Sequence, residues 1–169
     1  HPVAVTVDAD DATLDAVVEL AQPAMLQLHG AESPGRVADI KARYGLPVMK
    51  AFAVSGPADL DRLGPYGGVA DRFLLDARPP KGSDLPGGNG VSFDWSLLER
   101  LPAGTPYMLS GGLNADNIAE ALAIADPPGI DVSSGVESAP GVKDSALIEA
   151  FLLAVAEAQE DRRTAAVGV

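Results

Sequence analysis

Short apolar runs alternate along this chain with stretches whose apolar residues recur every three to four positions. The apolar runs at residues 3–7, 25–28, 48–54, 73–75, 107–109 and 130–132 predict six strands. Between them Leu14, Val17, Val18 and Ala21 mark one helix, and Val37, Ile40 and Tyr44 mark a second, which Pro34 opens and Gly45 and Pro47 close. Gly56 and Pro57 lead into a short helix through Leu60 and Leu63, and another starts at Trp95. Asn114 is predicted to cap a helix running to about Ala125. A last helix starts at Asp144 or Ser145 and passes through Val155, leaving a polar, frayed tail from about Gln159.

Strict alternation of short, wholly apolar strands with helices predicts a parallel α/β fold. Residues 77–92 interrupt it with a Gly- and Pro-rich stretch that has no period, long enough to read as a functional loop. With 169 residues, 47% of them hydrophobic, the chain suits one domain, read as residues 1–158 with a tail at 159–169.

Twelve Lys and Arg against 24 Asp and Glu give a net charge of −12, which opposes nonspecific binding to nucleic acid or to an anionic membrane. An anionic ligand would have to be held by local amides and a few cations. There is no cysteine, so disulfides and Cys-based metal sites are excluded for this sequence. No apolar run approaches the roughly 20 residues that span a bilayer, and the expected location is the cytoplasm.

Residues able to do chemistry stand at the carboxyl ends of the predicted strands: Asp8, His29, Asp76, Ser110 and Asp131. That spread suits a barrel better than a doubly wound sheet, where function gathers at one switch point. Two consecutive strand ends carry small residues, Gly111 and Gly112 in LSGGLNADN, then Ser134 and Gly135 in GIDVSSGVE. Backbone amides unobstructed by Cβ atoms could cradle one phosphate there. No GxSxG elbow, no nucleotide-binding glycine signature and no metal-ligand spacing is present, so cofactor-free chemistry without a metal is expected.

The segments MLQLHG, VMKAF, FLLD, GGNGVSFDWSLL, LSGGLNADN and GIDVSSGVESAPGVKD together resemble the phosphoribosylanthranilate isomerase family, in family order, over about residues 3–155. The resemblance implies a (β/α)8 TIM-barrel type fold of which about six of the eight units are present. It implies the Amadori rearrangement of N-(5-phosphoribosyl)anthranilate to 1-(2-carboxyphenylamino)-1-deoxyribulose 5-phosphate in tryptophan biosynthesis. Asp76 matches the family's general acid, and the general base in the family is a cysteine on the first strand. That strand, its successor and an anthranilate-binding arginine have no counterpart here. The expectation is therefore a natural chain beginning upstream of His1, and 169 residues inactive and weakly stable alone.

His29 and Asp131 are candidate substrate contacts, with a satisfied strand-end histidine and a loop-bracing carboxylate as the alternatives. Lys50 is an isolated charge in an apolar run and needs a carboxylate, Asp76 or Asp131 inside the barrel, unless its stem packs inward and its head reaches water. Arg36 and Arg43 belong to a solvated helix face, and Arg78 and Lys81 lie in the long loop. Two other readings compete: another phosphosugar barrel enzyme of amino-acid biosynthesis, and a non-catalytic phosphosugar-binding or assembly fragment completed by a partner segment.

Overall fold

A computed structural model describes residues 1–77 and 92–167, with side chains through Thr164. Five parallel strands, β1 (Val3–Thr6), β2 (Met25–Leu28), β3 (Val48–Val54), β4 (Arg72–Ala77) and β5 (Tyr107–Leu109), lie side by side in chain order. Sheet order equal to chain order has no switch point, so the sheet winds one way, as in a barrel. Helices α1 (Asp11–Ala21), α2 (Pro34–Tyr44), α3 (Pro57–Asp61) and α4 (Ile118–Ala125) connect the strands or follow them, and α5 (Ser145–Val167) ends the described chain.

Local chemistry sets the helix ends. The Asp10 carboxylate accepts from the Thr13 amide at 2.9 Å and opens α1, and Ser33 Oγ accepts from the Arg36 amide at 3.2 Å with Pro34 at the first position of α2. Gly45 closes α2 at φ +63°, a conformation that suits a residue without Cβ.

Strand alternation splits the sheet into two faces. On one, Leu26, Leu28 and Val48 meet Leu14, Val37 and Ile40 of the helices, and Phe52 packs edge-on against Tyr66 (5.1 Å between ring centres) and Phe73 (5.7 Å). On the other, Met49, Ala51 and Leu74 form a small apolar layer with Met25 and Met108. Above that layer, at the carboxyl ends of the strands, the same face turns polar.

Several boundaries differ from the sequence reading. Residues 130–132 form a single parallel bridge, Ile130 to Leu109, rather than a strand; two hydrogen bonds, Leu109 N–H to Gly129 O and Asp131 N–H to Leu109 O, are made before the chain turns into a 3-10 helix at Ser134–Val136. Asn114 does not cap α4. Its Oδ1 accepts from the amides of Asp116 and Asn117, an Asx turn one step ahead of the helix, and Asn117 occupies the cap position. Trp95–Arg100 is 3-10 rather than α. The last helix does not fray at Gln159 but continues to Val167, because Phe151 and Ala158 are buried in the core and Arg162 pairs with Asp126 beyond α4. A small antiparallel hairpin, β6 (Glu137–Ala139) and β7 (Val142–Lys143), was not foreseen; it turns at Gly141, whose φ is +77°. The long loop with Arg78 and Lys81 lies outside the described residues apart from its ends. Among the described residues no helix is long and apolar enough to cross a membrane.

Candidate active site

A cavity of about 410 Å³ opens at the carboxyl ends of the strands, on the face opposite the helices. It gathers His29, Asp76, Gly111, Gly112, Asp131 and Ser134 from the ends of β2, β4 and β5 and from the segment after the Ile130 bridge. Parity explains the gathering: Met25, Gln27 and His29 follow one another on the inner face of β2, and Leu74 and Asp76 on that of β4, so the polar residues extend the apolar layer upward.

Asp76 is only 4% exposed. His29 Nε2 lies 3.6 Å from Asp76 Oδ2, and Gln27 Nε2 is 3.0 Å from His29 Nδ1. With the Gln27 amide donating to Nδ1, the proton of a neutral imidazole sits on Nε2, facing Asp76. Gln27 is thus a site residue that the sequence reading missed, although it shares the strand parity of His29. Across the cavity the Ser110 hydroxyl donates to Asp131 Oδ2 at 2.9 Å, linking the end of β5 to the segment after the Ile130 bridge.

The two glycine-bearing segments meet closely. Gly111 (φ +90°) and Gly112 (φ +65°) adopt left-handed conformations, and a Cβ on Gly111 would stand 2.8 Å from Asp76 Oδ1 and collide with the Ala77 amide. A Cβ on Gly135 would collide with the Leu113 carbonyl. Asn117 Nδ2 donates to Gly112 O at 2.9 Å and fixes the first segment from behind. The amides of Gly111 and Gly112 make no hydrogen bond to another described residue. Lys143, from β7, reaches the cavity rim, where its ammonium donates to Ser133 O (2.8 Å), Ser133 Oγ (3.1 Å) and Glu137 Oε1 (2.7 Å). The Lys143 hydrogen bond, helped by the Gly141 amide, holds the Glu137 carboxyl below its usual range. Nothing in the sequence pattern singled out Lys143.

Lys50 does not face the cavity, and neither Asp76 nor Asp131 is its partner. It shares the helix-facing side of β3 with Val48 and Phe52, is 2% exposed, and pairs with Glu32 at 3.2 Å. Burial pulls its ammonium below the usual lysine range, against the opposing pull of Glu32. Strand alternation alone puts Lys50 opposite in facing to Ala51, and so on the side away from the strand-end carboxylates Asp76 and Asp131. Arg36 and Arg43 are partly exposed, as expected of a helix face, yet tie α2 to α1 through Asp11 and Asp15 at 2.6 and 2.7 Å. Among the described residues no group of three or more His, Cys, Asp or Glu is arranged to hold a metal ion.

A singly wound parallel sheet with its polar side chains at the strand carboxyl ends defines a (β/α)-barrel protein with the site position common to that class. The family model for N-(5'-phosphoribosyl)anthranilate isomerase matches residues 1–154. An N-(5'-phosphoribosyl)anthranilate isomerase of Mesorhizobium japonicum is 69% identical over 160 residues, covering 95% of this chain and 73% of the relative. The crystal structure of the Thermus thermophilus phosphoribosyl anthranilate isomerase is similar at a TM-score of 0.75 and 31% identity, over 92% of this chain and 72% of that one. A phosphoribosyl anthranilate isomerase in complex with reduced 1-(o-carboxyphenylamino)-1-deoxyribulose 5-phosphate is similar at 0.70 and 33% identity, over 88% and 68%. The chain belongs to the N-(5'-phosphoribosyl)anthranilate isomerase family.

Proposed function

We propose that the cavity binds N-(5-phosphoribosyl)anthranilate and that its residues carry the acid and phosphate side of the Amadori rearrangement that defines the family. The observation that carries this reading is the contact between acid and cradle. The buried Asp76 carboxylate lies against Gly111, so a sugar whose phosphate sits on the glycine amides has its furanose ring within reach of Asp76.

The phosphate takes hydrogen bonds from amides of Gly111, Gly112, Ser134 and Gly135, which can approach it closely for want of side chains at three of the four positions. The protonated Asp76 carboxyl gives its proton to the ring oxygen as the C1–O bond breaks, leaving a Schiff base at C1. The His29 imidazole faces that carboxyl, its Nε2 3.6 Å from Oδ2, and closes to hydrogen-bond distance when substrate fills the cavity. Loss of the C2 proton to a base then gives the enolamine, which tautomerises to the 2-ketose. The family's base is a cysteine, a residue type this sequence does not contain. Asp131, already accepting from Ser110, has a second oxygen for a ribose hydroxyl. The compartment this reading implies is the cytoplasm, since a phosphorylated sugar carries charge that a bilayer core excludes.

The test is calorimetric titration of the chain with the reduced carboxyphenylamino-deoxyribulose phosphate. Saturable one-to-one binding, displaced by inorganic phosphate, is expected. Binding that phosphate does not displace would remove the cradle from the reading.

A further inference from the structure

The geometry points to the buried Lys50–Glu32 pair, on the helix-facing side of the sheet, as the device that positions His29 against Asp76. The inference rests on the reading of the cavity as the substrate site.

The Lys50 ammonium donates to three carbonyls, Leu28 O at 3.2 Å, Gly30 O at 2.8 Å and Ala51 O at 2.9 Å, and shares its protons with Glu32 Oε2, also at 3.2 Å. Two of those carbonyls flank His29 in sequence. Glu32, 5% exposed, holds the intervening peptide from the same side, its Oε2 accepting from the Gly30 amide at 3.0 Å. The peptide groups before and after His29 are therefore both bonded to one member of the pair, while the His29 amide itself donates to Thr6 O on β1 at 2.8 Å. Little freedom is left to the backbone that aims the imidazole.

The same pair joins this turn to the end of β1. Glu32 Oε1 accepts from the Asp8 amide at 2.9 Å, and Asp8 Oδ1 accepts from the Ala31 amide at 2.7 Å. Gly30 makes the closure possible: a Cβ there would lie 2.5 Å from Asp8 Cγ. From the far side the Tyr66 hydroxyl donates to Glu32 O at 2.8 Å.

A buried ion pair is seldom more stabilising than apolar side chains of the same volume, because desolvation offsets the attraction. What apolar side chains cannot do is bind three carbonyls and two amides in fixed directions. A positioning role and a stabilising role thus separate experimentally. Lys50 and Glu32 are positioning residues, acting on substrate only through His29.

The test compares Lys50→Met, Glu32→Gln and the double variant in the 169-residue chain. Because the sequence contains only two histidines, His29 is readily assigned in long-range nitrogen NMR spectra. Each single variant leaves a buried charge unpaired and should melt well below the parent, and the double variant should recover much of that loss. The folded double variant should nevertheless show altered His29 ring-nitrogen shifts. It should bind the reduced product analogue on the order of 10-fold more weakly, the scale of a misdirected polar contact, while inorganic phosphate binds as before. Tyr66→Phe, which removes a single hydroxyl, should move the same His29 shifts by less without unfolding the chain. Parent-like His29 shifts in the folded variants overturn the inference, as does an equal fall in affinity for analogue and phosphate. If the parent itself fails to bind the analogue, the substrate reading fails, and the His29 shifts alone decide the positioning role.

Discussion

Gly135 offers a direct test of whether the two glycine segments act on one phosphate. Its own backbone needs no left-handed conformation, so alanine is tolerated by φ and ψ; the obstacle is that a methyl would overlap the Leu113 carbonyl and stand 3.0 Å from Asn114 Cβ. A carbon and a carbonyl oxygen settle at about 3.3–3.6 Å, so the segment after Gly112 and the turn at Ser134–Val136 must part by roughly 1.5 Å or more. Hydrogen bonds to a charged group contribute about 1.5–3 kcal/mol each. Misaligning two of them costs about 3 kcal/mol or more, roughly a 10²-fold rise in Kd. Calorimetry with inorganic phosphate and with the reduced product analogue should show that rise for Gly135→Ala. Gly141→Ala is the control: at φ +77° with open space around it, it should cost about 1–2 kcal/mol of stability in the β6–β7 hairpin and leave phosphate affinity alone. Phosphate affinity in Gly135→Ala equal to that of the parent would refute the shared cradle.

Asp76→Asn should reduce turnover by about 10²-fold or more in an enzyme that also carries the family's cysteine-bearing strand, with phosphate affinity retained; near-normal turnover would leave Asp76 a structural residue. Phe52→Ala should lower stability by about 3–5 kcal/mol in denaturant titrations, since it removes a 4% exposed ring and two edge-on aromatic contacts. Burial raises the Asp71 carboxyl, but hydrogen bonds from Lys41 (2.7 Å) and the Val48 amide (2.9 Å) outweigh it, and the net shift is downward from 3.8. A depressed carboxyl stabilises the fold above its unfolded pKa and ceases to as pH falls through the folded value. Unfolding monitored below about pH 4 should therefore steepen with acid in the parent and less so in Asp71→Asn.

Much of the candidate site was legible because strand ends are local features. His29, Asp76 and Ser110 each close a short apolar run, Asp131 stands within the last one, and the cavity includes all four. Gly111 and Gly112 were found by the same logic. Gln27 was legible in principle, two residues before His29 on the same face, but a lone polar residue in an apolar strand carries no pointer to its partner. Lys143 and the hairpin that delivers it were not legible, since a two-residue polar strand has no periodicity.

Sequence by itself determined the alternation of strands and helices, the opening of α2 at Pro34 and its close at Gly45, and the parallel sheet in chain order, because these follow from 3.6- and 2-residue periods and from helix-end residues next to them. Tertiary structure alone decided which face each charge occupies and what it meets there. Lys50 illustrates the difference. Its need for a partner follows from burying an ammonium, but Glu32 became that partner only when the register Leu28 to Lys50 brought the turn after β2 over the helix-facing side of β3. The end of α5 was settled the same way, by Ala158 packing into the core and Arg162 reaching Asp126, contacts between segments whose polar composition alone reads as a frayed tail. Local periods set the elements, whereas charge pairing depends on distances between residues far apart in the chain, which only the packed sheet defines.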